Sequence, residues 1–267
     1  MASELLNQRH IELVGQSNFR DMGGYQAVCG RRVKWGRIYR SGELAKLAEG
    51  DVTSLAALGI RTAVDFRSTS EVELRGSDRL PAEASVLSLP IDSGDLISKH
   101  MPEVVGGDFS NVPADFLQDV NRSLIADWSY QFASLLDIIA DTVTHPLVFH
   151  CTHGKDRAGL AAAIVLSALG VPWDLVQEDY LLSNRYRKQT NDMALDRIRQ
   201  EAARQRGVSP EEIDMSNVKP LFFVEVSNID AARDAMISNY GSIDTFIRER
   251  LGWGEGDLVT LRAELLE

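Results

Sequence analysis

The amino-acid sequence predicts an α/β fold: a mostly parallel central sheet flanked by helices, with a helical C-terminal portion. Three observations carry that prediction. Up to residue 151, short apolar, β-branched runs alternate with helical segments, the pattern of parallel strands buried on both faces by crossover helices. Beyond 151 nearly every segment has helical spacing. The composition, 44% hydrophobic and 25% charged over 267 residues, is that of a chain able to close a sizeable core.

Taken in order, residues 32–40 form a mixed strand-like run and 51–58 a short helix closed by Gly59. Residues 60–66 (IRTAVDF) read as a buried strand, Ser70 followed by Glu71 and Glu73 as a helix start, and 84–89 as another strand. Residues 91–112 have weak pattern, and a loop of that length is functional or mobile. A third apolar run, 146–150 (PLVFH), follows a turn residue. Helices are then expected at 157–169 (ending at Gly170), 173–182 (behind Pro172), 185–206 (stopped by Gly207), 229–240, 243–251 and 257–266. Ser209-Pro210-Glu211-Glu212 matches a capping box with proline at the first helical position. No linker or internal repeat divides the chain, so 1–267 reads as one domain, with 184–267 as its helical C-terminal portion.

Charge and cysteine content remove several function classes. The net charge of −11 repels polyanions, and no run of Lys or Arg offsets it, so nucleic acid is not an expected partner. Two cysteines, Cys29 and Cys151, exclude a disulfide framework and a four-cysteine zinc site. The first residues lack a basic segment followed by an apolar one, and the longest apolar run, 160–169, is half the ~20 residues that a bilayer requires. No integral membrane segment is expected. The expected location is the cytoplasm, with export by a signal-less route left open. Oligomeric state is not legible.

The chemistry lies in residues 146–170, PLVFHCTHGKDRAGLAAAIVLSALG. An apolar strand runs into Cys151, five residues pass, and a helix begins at Arg157. A tight turn containing Gly154 lets successive backbone N–H groups point inward, and the helix N-terminus adds partial positive charge. The result is an oxyanion cradle. The same field favours thiolate over thiol, making Cys151 the nucleophile. Arg157 offers a planar fork to two phosphoryl oxygens, and Gly159 permits close packing of the new helix. The plain alternative, a cysteine that merely fills space after a strand, does not account for His150, Gly154, Arg157, Gly159 and a capped apolar helix occurring together.

HCTHGKDRAG resembles the HCxxGKDRxG loop of a bacterial tyrosine-phosphatase family whose members include dual- and triple-specificity enzymes acting on phosphoinositides. The resemblance is colinear over about 17–252. It includes Ser17–Tyr25 (SNFRDMGGY), similar to an NFRDLGG signature, and Tyr39–Leu44 (YRSGEL), Val64–Ser68 (VDFRS), Asp179–Asn184 (DYLLSN) and Tyr240–Ser242 (YGS). It implies a protein-tyrosine-phosphatase-like fold in which the C-terminal helices form a lid. It also implies a phosphomonoester hydrolase working through a cysteinyl-phosphate, with no metal or other cofactor. The implied substrates are phosphorylated protein, phosphotyrosine first, or phosphoinositide and phosphoserine/threonine. Residue by residue, it gives Cys151 as nucleophile, Arg157 as phosphoryl ligand and Asp156 as general acid. Thr152, His153, Gly154, Lys155 and Ala158 line the substrate, Lys155 as a point charge, and His150 tunes the sulfur from behind. Asp92 and Asp95 are rival acids, because other tyrosine phosphatases bring the acid from a separate loop.

Two positions depart from the pattern. Ala158 stands where the family has Thr, which removes a hydroxyl from the leaving thiolate and should slow phosphoenzyme hydrolysis. His153 replaces a small residue, and either titrates near neutral pH at the pocket mouth or simply points to solvent. Arg20 and Asp21 are expected to pair and tie the N-terminal segment to the loop; the alternative is Arg20 reaching substrate. Asp65 and Arg67 are expected to orient the loop, Cys29 to be a buried inert thiol, the alternative being a disulfide partner for an oxidised Cys151, and Met215, Leu221, Phe222 and Phe223 to cover the site or join the core. Two rival functions follow: a phosphate-binding pseudophosphatase, suggested by Ala158, and a sulfurtransferase, disfavoured by Asp156 beside a persulfide anion and by the absence of tandem rhodanese halves.

Overall fold

The structure is a computed structural model and describes residues 8–92, 113 and 115–267. One five-stranded sheet is made by β1 (Arg20–Asp21), β2 (Ile38–Ser41), β3 (Thr62–Asp65), β4 (Ser85–Ser88) and β5 (Leu147–His150), in the order β1-β2-β5-β3-β4. Strands β2, β5, β3 and β4 run parallel, and β1 pairs antiparallel with β2. The mostly parallel sheet is therefore as expected, with one addition. Strand β1 is only Arg-Asp, so it carried no apolar signal.

Period-two alternation sorts the central strands onto two faces. Leu147 and Phe149 of β5 join Ile38, Val64 and Phe66 in the larger core, while Val148 joins Tyr39, Ala63, Phe19 and Leu55 on the opposite side. Strand β4 is exposed along its length, as the outer edge of the sheet.

The longer helices are α1 (Glu49–Ala57), α2 (Thr69–Arg75), α3 (Phe116–Ala140), α4 (Arg157–Ala168), α5 (Trp173–Tyr186), α6 (Lys188–Arg206), α7 (Val226–Tyr240) and α8 (Glu255–Leu265). Most lie where spacing predicts. The longest, α3, does not: the sequence expectations contain no helix there. Its buried Phe116, Val120, Leu124, Phe132, Leu135, Leu136 and Ile139 have helical spacing, but the buried polar residues Asn121, Ser129 and Gln131 interrupt the apolar stripe. Ser68, not Ser70, caps α2: Glu71 N–H donates to the Ser68 hydroxyl (3.3 Å) and Ser68 N–H to the Glu71 carboxylate (2.9 Å). The helix expected over 185–206 breaks at Arg187, which joins α5 to α6. The segment 243–251 divides into a turn at Ile243–Thr245 and a π-helical turn at Phe246–Arg250.

Leu195, Ala202, Ala203, Ile213, Met215 and Val218 form a small hydrophobic cluster of their own, with Phe222 and Phe223 against it, whereas Leu221 packs on the main core. Two asparagines clamp this segment at its base. Asn184 exchanges hydrogen bonds with both backbone groups of Val224 (2.7 and 2.8 Å), and Asn191 donates to the Phe222 carbonyl (2.7 Å). Among the described residues no helix is long and apolar enough to cross a membrane.

Candidate active site

Because β2, β3 and β5 are parallel and in register, Ser41, Asp65 and His150 end side by side. The chain leaving each strand therefore gathers at one edge of the sheet, where α/β folds bind ligands. Residues 151–156 turn there, between β5 and α4. Gly154 sits at φ +69°, and a Cβ on it would come within 2.5 Å of Gly42 N and Ser41 O. Only glycine fits.

The turn is braced from behind. Asn18 Nδ2 donates to the carbonyls of His153 (3.1 Å) and Gly154 (3.0 Å), and Arg40 Nη2 donates to Gly154 O (2.8 Å). In a trans peptide the N–H points opposite to its C=O, so pulling these carbonyls backward turns the amides of Gly154 and Lys155 inward. Gly154 N–H accordingly donates to Cys151 Sγ at 3.3 Å. The residue carrying that sulfur is only 3% exposed.

Arg157, 7% exposed, faces Glu71. Its Nη1 and Nη2 donate to the two carboxylate oxygens (2.5 and 2.7 Å), and further bonds go to Phe66 O, Ile91 O and Thr152 Oγ1. The Thr152 hydroxyl also donates to Glu71. Burial pulls the Glu71 carboxyl upward, but hydrogen bonds and charge from Arg157, with the Thr152 hydroxyl and Ser68 amide, outweigh it and hold the group down at about 2. Glu71 was legible in sequence only as a capping residue. Its hold on Arg157 depends on α2 lying against the loop.

Beside this pair, buried Lys155 Nζ forms an ion pair with Asp156 Oδ2 at 3.3 Å. Burial lowers the Lys155 pKa, and the Asp156 charge opposes that shift. Asp156 heads α4 and accepts the Leu160 N–H on its carbonyl. Asp92 is exposed, one residue after the Ile91 carbonyl that Arg157 contacts; Asp95 lies outside the described residues. Ala158 is fully buried. A Cβ on Gly159 would meet Tyr180 Cε2 at 2.7 Å, so that glycine admits α5 as well as the sheet residue Arg40.

Several expectations need correction. Arg20 does not pair with Asp21. Neighbours in a strand point to opposite faces, and Arg20, wholly buried, donates to the Asp179 carboxylate (3.1 Å), the Asp179 carbonyl (3.0 Å) and Asn18 Oδ1 (2.5 Å). It does not face the sulfur. Asp21 instead accepts the Gly23 and Gly36 amides, both at 2.7 Å. Cys29 is exposed rather than buried. His153 is solvent-exposed, one of the two placements expected for it.

His150 is buried with Nε2 2.8 Å from Asp78 Oδ2. Asp65, Asp78 and His150 bring ligand-type atoms within 4.8 Å of one another, but Arg67 donates to both carboxylates at 2.8 Å. A guanidinium thus stands where a metal cation would. Sequence reasoning missed Asn18, Arg40, Asp78, Asp179 and Arg187 as contributors. The first two and Asp179 lie within segments singled out for their family resemblance, and all three turn out to brace the loop.

Comparison with known proteins shows the family of this chain. The profile of the tyrosine phosphatase family matches residues 11–267. A candidate tyrosine-protein phosphatase of Cupriavidus necator is 34% identical over 257 residues, covering 94% of this chain and 86% of the relative. The triple specificity protein phosphatase PtpB of Mycobacterium tuberculosis is 28% identical over 284 residues, covering 96% and 98%. Among solved structures, TpbA of P. aeruginosa is similar at 20% identity and a TM-score of 0.35, covering 73% of this chain and 96% of that one. A likeness that distant carries no argument.

Proposed function

This chain belongs to the tyrosine phosphatase family, and on that premise we propose that it hydrolyses phosphomonoesters through a cysteinyl-phosphate on Cys151, with phosphotyrosine as first substrate. Residues 1–267 act as one catalytic domain, with the separately clustered segment between Asn184 and Val224 as a lid, since the helices after it pack into the main core. Support for substrates beyond phosphotyrosine, phosphoserine/threonine or phosphoinositide, comes from the name of the triple-specificity relative and from Lys155 in the loop.

The observation that carries the reading is the Gly154 N–H on Cys151 Sγ, inside a turn whose carbonyls are drawn to the rear. Inward amides, the α4 terminus and Arg157 meet the charge that spreads over the equatorial oxygens. The thiolate attacks phosphorus as Asp156 gives its proton to the departing alkoxide or phenoxide oxygen. Water then attacks the cysteinyl-phosphate, Asp156 takes a proton from it, and the thiolate leaves. Thr152, Gly154, Lys155 and Ala158 line the phosphoryl position. His150, held by Asp78, fixes the strand end that presents the sulfur.

Cys151→Ser should reduce turnover of p-nitrophenyl phosphate by roughly 10³-fold or more, while phosphate or vanadate binding survives. A variant with wild-type turnover removes Cys151 from the mechanism. Ala158 favours one second reading, a phosphate-binding protein with little turnover. In that case the wild type gives neither a burst nor a steady state with p-nitrophenyl phosphate, yet binds vanadate.

A further inference from the structure

At the far end of α4 the surface differs from the rest of this acidic chain. Between Asp21 and Glu43 the sequence has no acid but carries Arg31, Arg32, Lys34, Arg37 and Arg40. Arg40 is buried behind the phosphate loop, whereas the other four are exposed or half-buried. Neutral residues separate most of them, so they form no continuous run; the fold gathers them. Gly24 N–H donates to Val33 O (2.7 Å) and Ala27 N–H to Arg31 O (2.9 Å), closing a hairpin with Val28 near its tip. Val28 N–H donates to Gly170 O (2.9 Å), just past the end of α4. Arg262 of α8 donates to Ala168 O (2.8 Å), and Arg31 donates to Arg262 O (3.1 Å).

These cations are fixed in place without being neutralised. Arg32 donates to Gly24 O (3.2 Å) and Lys34 to Glu264 O, so each clamp ends on a main-chain carbonyl instead of a carboxylate. Among the described residues no acid forms an ion pair with Arg31, Arg32, Lys34, Arg37 or Arg262. The acids of this face are Glu264 and Glu267, the latter paired through its backbone with Arg32 (2.8 Å in both directions). The ends of α4 and α8 add about half a negative charge each, which leaves an excess of about +2. Acids further off are screened beyond about 8 Å at physiological salt. Among the cations stand two apolar side chains, Val28 at 80% exposure and Val259, one turn before Arg262, at 57%. We propose that this face docks the protein on an anionic lipid bilayer. An aliphatic side chain ringed by cations gains from entering the headgroup boundary, and gains nothing from the phosphodiester backbone of a nucleic acid.

The fold also sets the orientation of the docked chain. Helix α4 starts at Arg157 in the phosphate loop and runs 12 residues to Ala168, so it separates the loop from this face by about 18 Å. Arg37 immediately precedes β2, at the edge where the parallel strands begin, and the loop lies at the edge where they end. Docking therefore turns Cys151 away from the bilayer. On the phosphatase reading, a phosphoryl group on a lipid of the same bilayer lies out of reach, and a phosphorylated protein near the surface does not.

Sedimentation with sucrose-loaded vesicles tests docking without relying on turnover. Wild type should partition onto phosphatidylcholine vesicles containing roughly one-third phosphatidylglycerol at least about tenfold more than onto phosphatidylcholine alone, at about fivefold per unpaired cation. Raising salt from ~0.1 M to ~0.5 M should abolish most of that difference. Arg31→Gln combined with Arg32→Gln should bring binding to within about twofold of the neutral vesicles. Val28→Ser keeps every charge and should weaken binding to the anionic vesicles by about threefold, for one partly inserted side chain. Equal partition onto the two vesicle types overturns the proposal, as does a folded double variant or a Val28→Ser chain that binds like wild type. If the double variant does not fold, the salt series and Val28→Ser decide. Wild type that shifts a duplex DNA of about 20 base pairs yet leaves anionic vesicles unbound assigns the face to a nucleic acid and overturns the bilayer. Turnover of p-nitrophenyl phosphate should be unchanged on saturating vesicles; inhibition would mean that the loop itself meets the lipid. A chain without phosphatase activity leaves every sedimentation result in force, so failure of that reading stays separate from failure of this one.

Discussion

Two arginine networks meet the phosphate loop from opposite sides and follow different rules. Behind it, Arg20 and Arg40 are wholly buried, and one acid, Asp179, takes a hydrogen bond from each. Their other donors serve Asn18, Ser183 and the Gly154 carbonyl. In front, Arg157 is balanced by Glu71, whose side chain is 27% exposed against 1% for Asp179. A positive charge that shapes backbone is neutralised inside the protein. One that must meet a ligand is neutralised at the border of water, where the acid can be solvated when phosphate takes its place.

Asp179→Asn tests the rear network and should have the largest effect on stability. It leaves two buried guanidinium groups facing a neutral amide, a loss on the order of 3–5 kcal/mol by analogy with broken buried pairs. Denaturant unfolding measures it. Activity should fall with stability, since Arg40 holds the Gly154 carbonyl that turns the amides inward. An unchanged unfolding midpoint would mean that the two networks do not differ in kind.

The next effect separates the loop itself from its front wall. Asp156→Asn should lower kcat/KM on phenyl phosphate, a poor leaving group, by about 10²-fold, and on p-nitrophenyl phosphate by less, because the better leaving group needs less help from an acid. Asp92→Asn should stay near wild type on both. The opposite pattern would move the general acid out of the loop and onto the segment beyond Ile91.

What was legible in the sequence divides along the same line. Cys151, Gly154 and Arg157 lie within one short stretch of chain, and their chemistry needs little beyond chain order and a strand-to-helix turn, so the loop could be read directly. The rear network could not. Asp179 stands 159 positions from Arg20, and nothing in DYLLSN says that its carboxylate turns inward. The expected Arg20–Asp21 pair failed because adjacency in a strand separates side chains instead of joining them. Arg187 was hidden inside what reads as one continuous amphipathic helix. Helix α3 escaped notice because its apolar stripe is broken by polar residues that bond locally, such as Asn121 to Leu117 O (2.8 Å).

Glu71→Gln tests the front network and should have the smallest effect, about 1–2 kcal/mol for a partly exposed pair in which the amide can still accept from Arg157. Its signature lies in pH dependence. The Glu71 carboxyl is lowered in the folded chain from 4.5 to about 2, so the folded state favours the ionised form. The stability this provides is fully present above about 4.5 and is lost as pH falls toward 2. Wild type should therefore exceed Glu71→Gln in unfolding free energy near neutral pH, and the two curves should converge as acid protonates the wild-type carboxyl. Asp179, with two buried arginines and almost no exposure, keeps its charge further into acid, so the front network should fail first on acidification. Parallel stability curves for wild type and Glu71→Gln across that range would show that Glu71 holds Arg157 by shape alone, and the contrast between the two networks would then rest on geometry without charge.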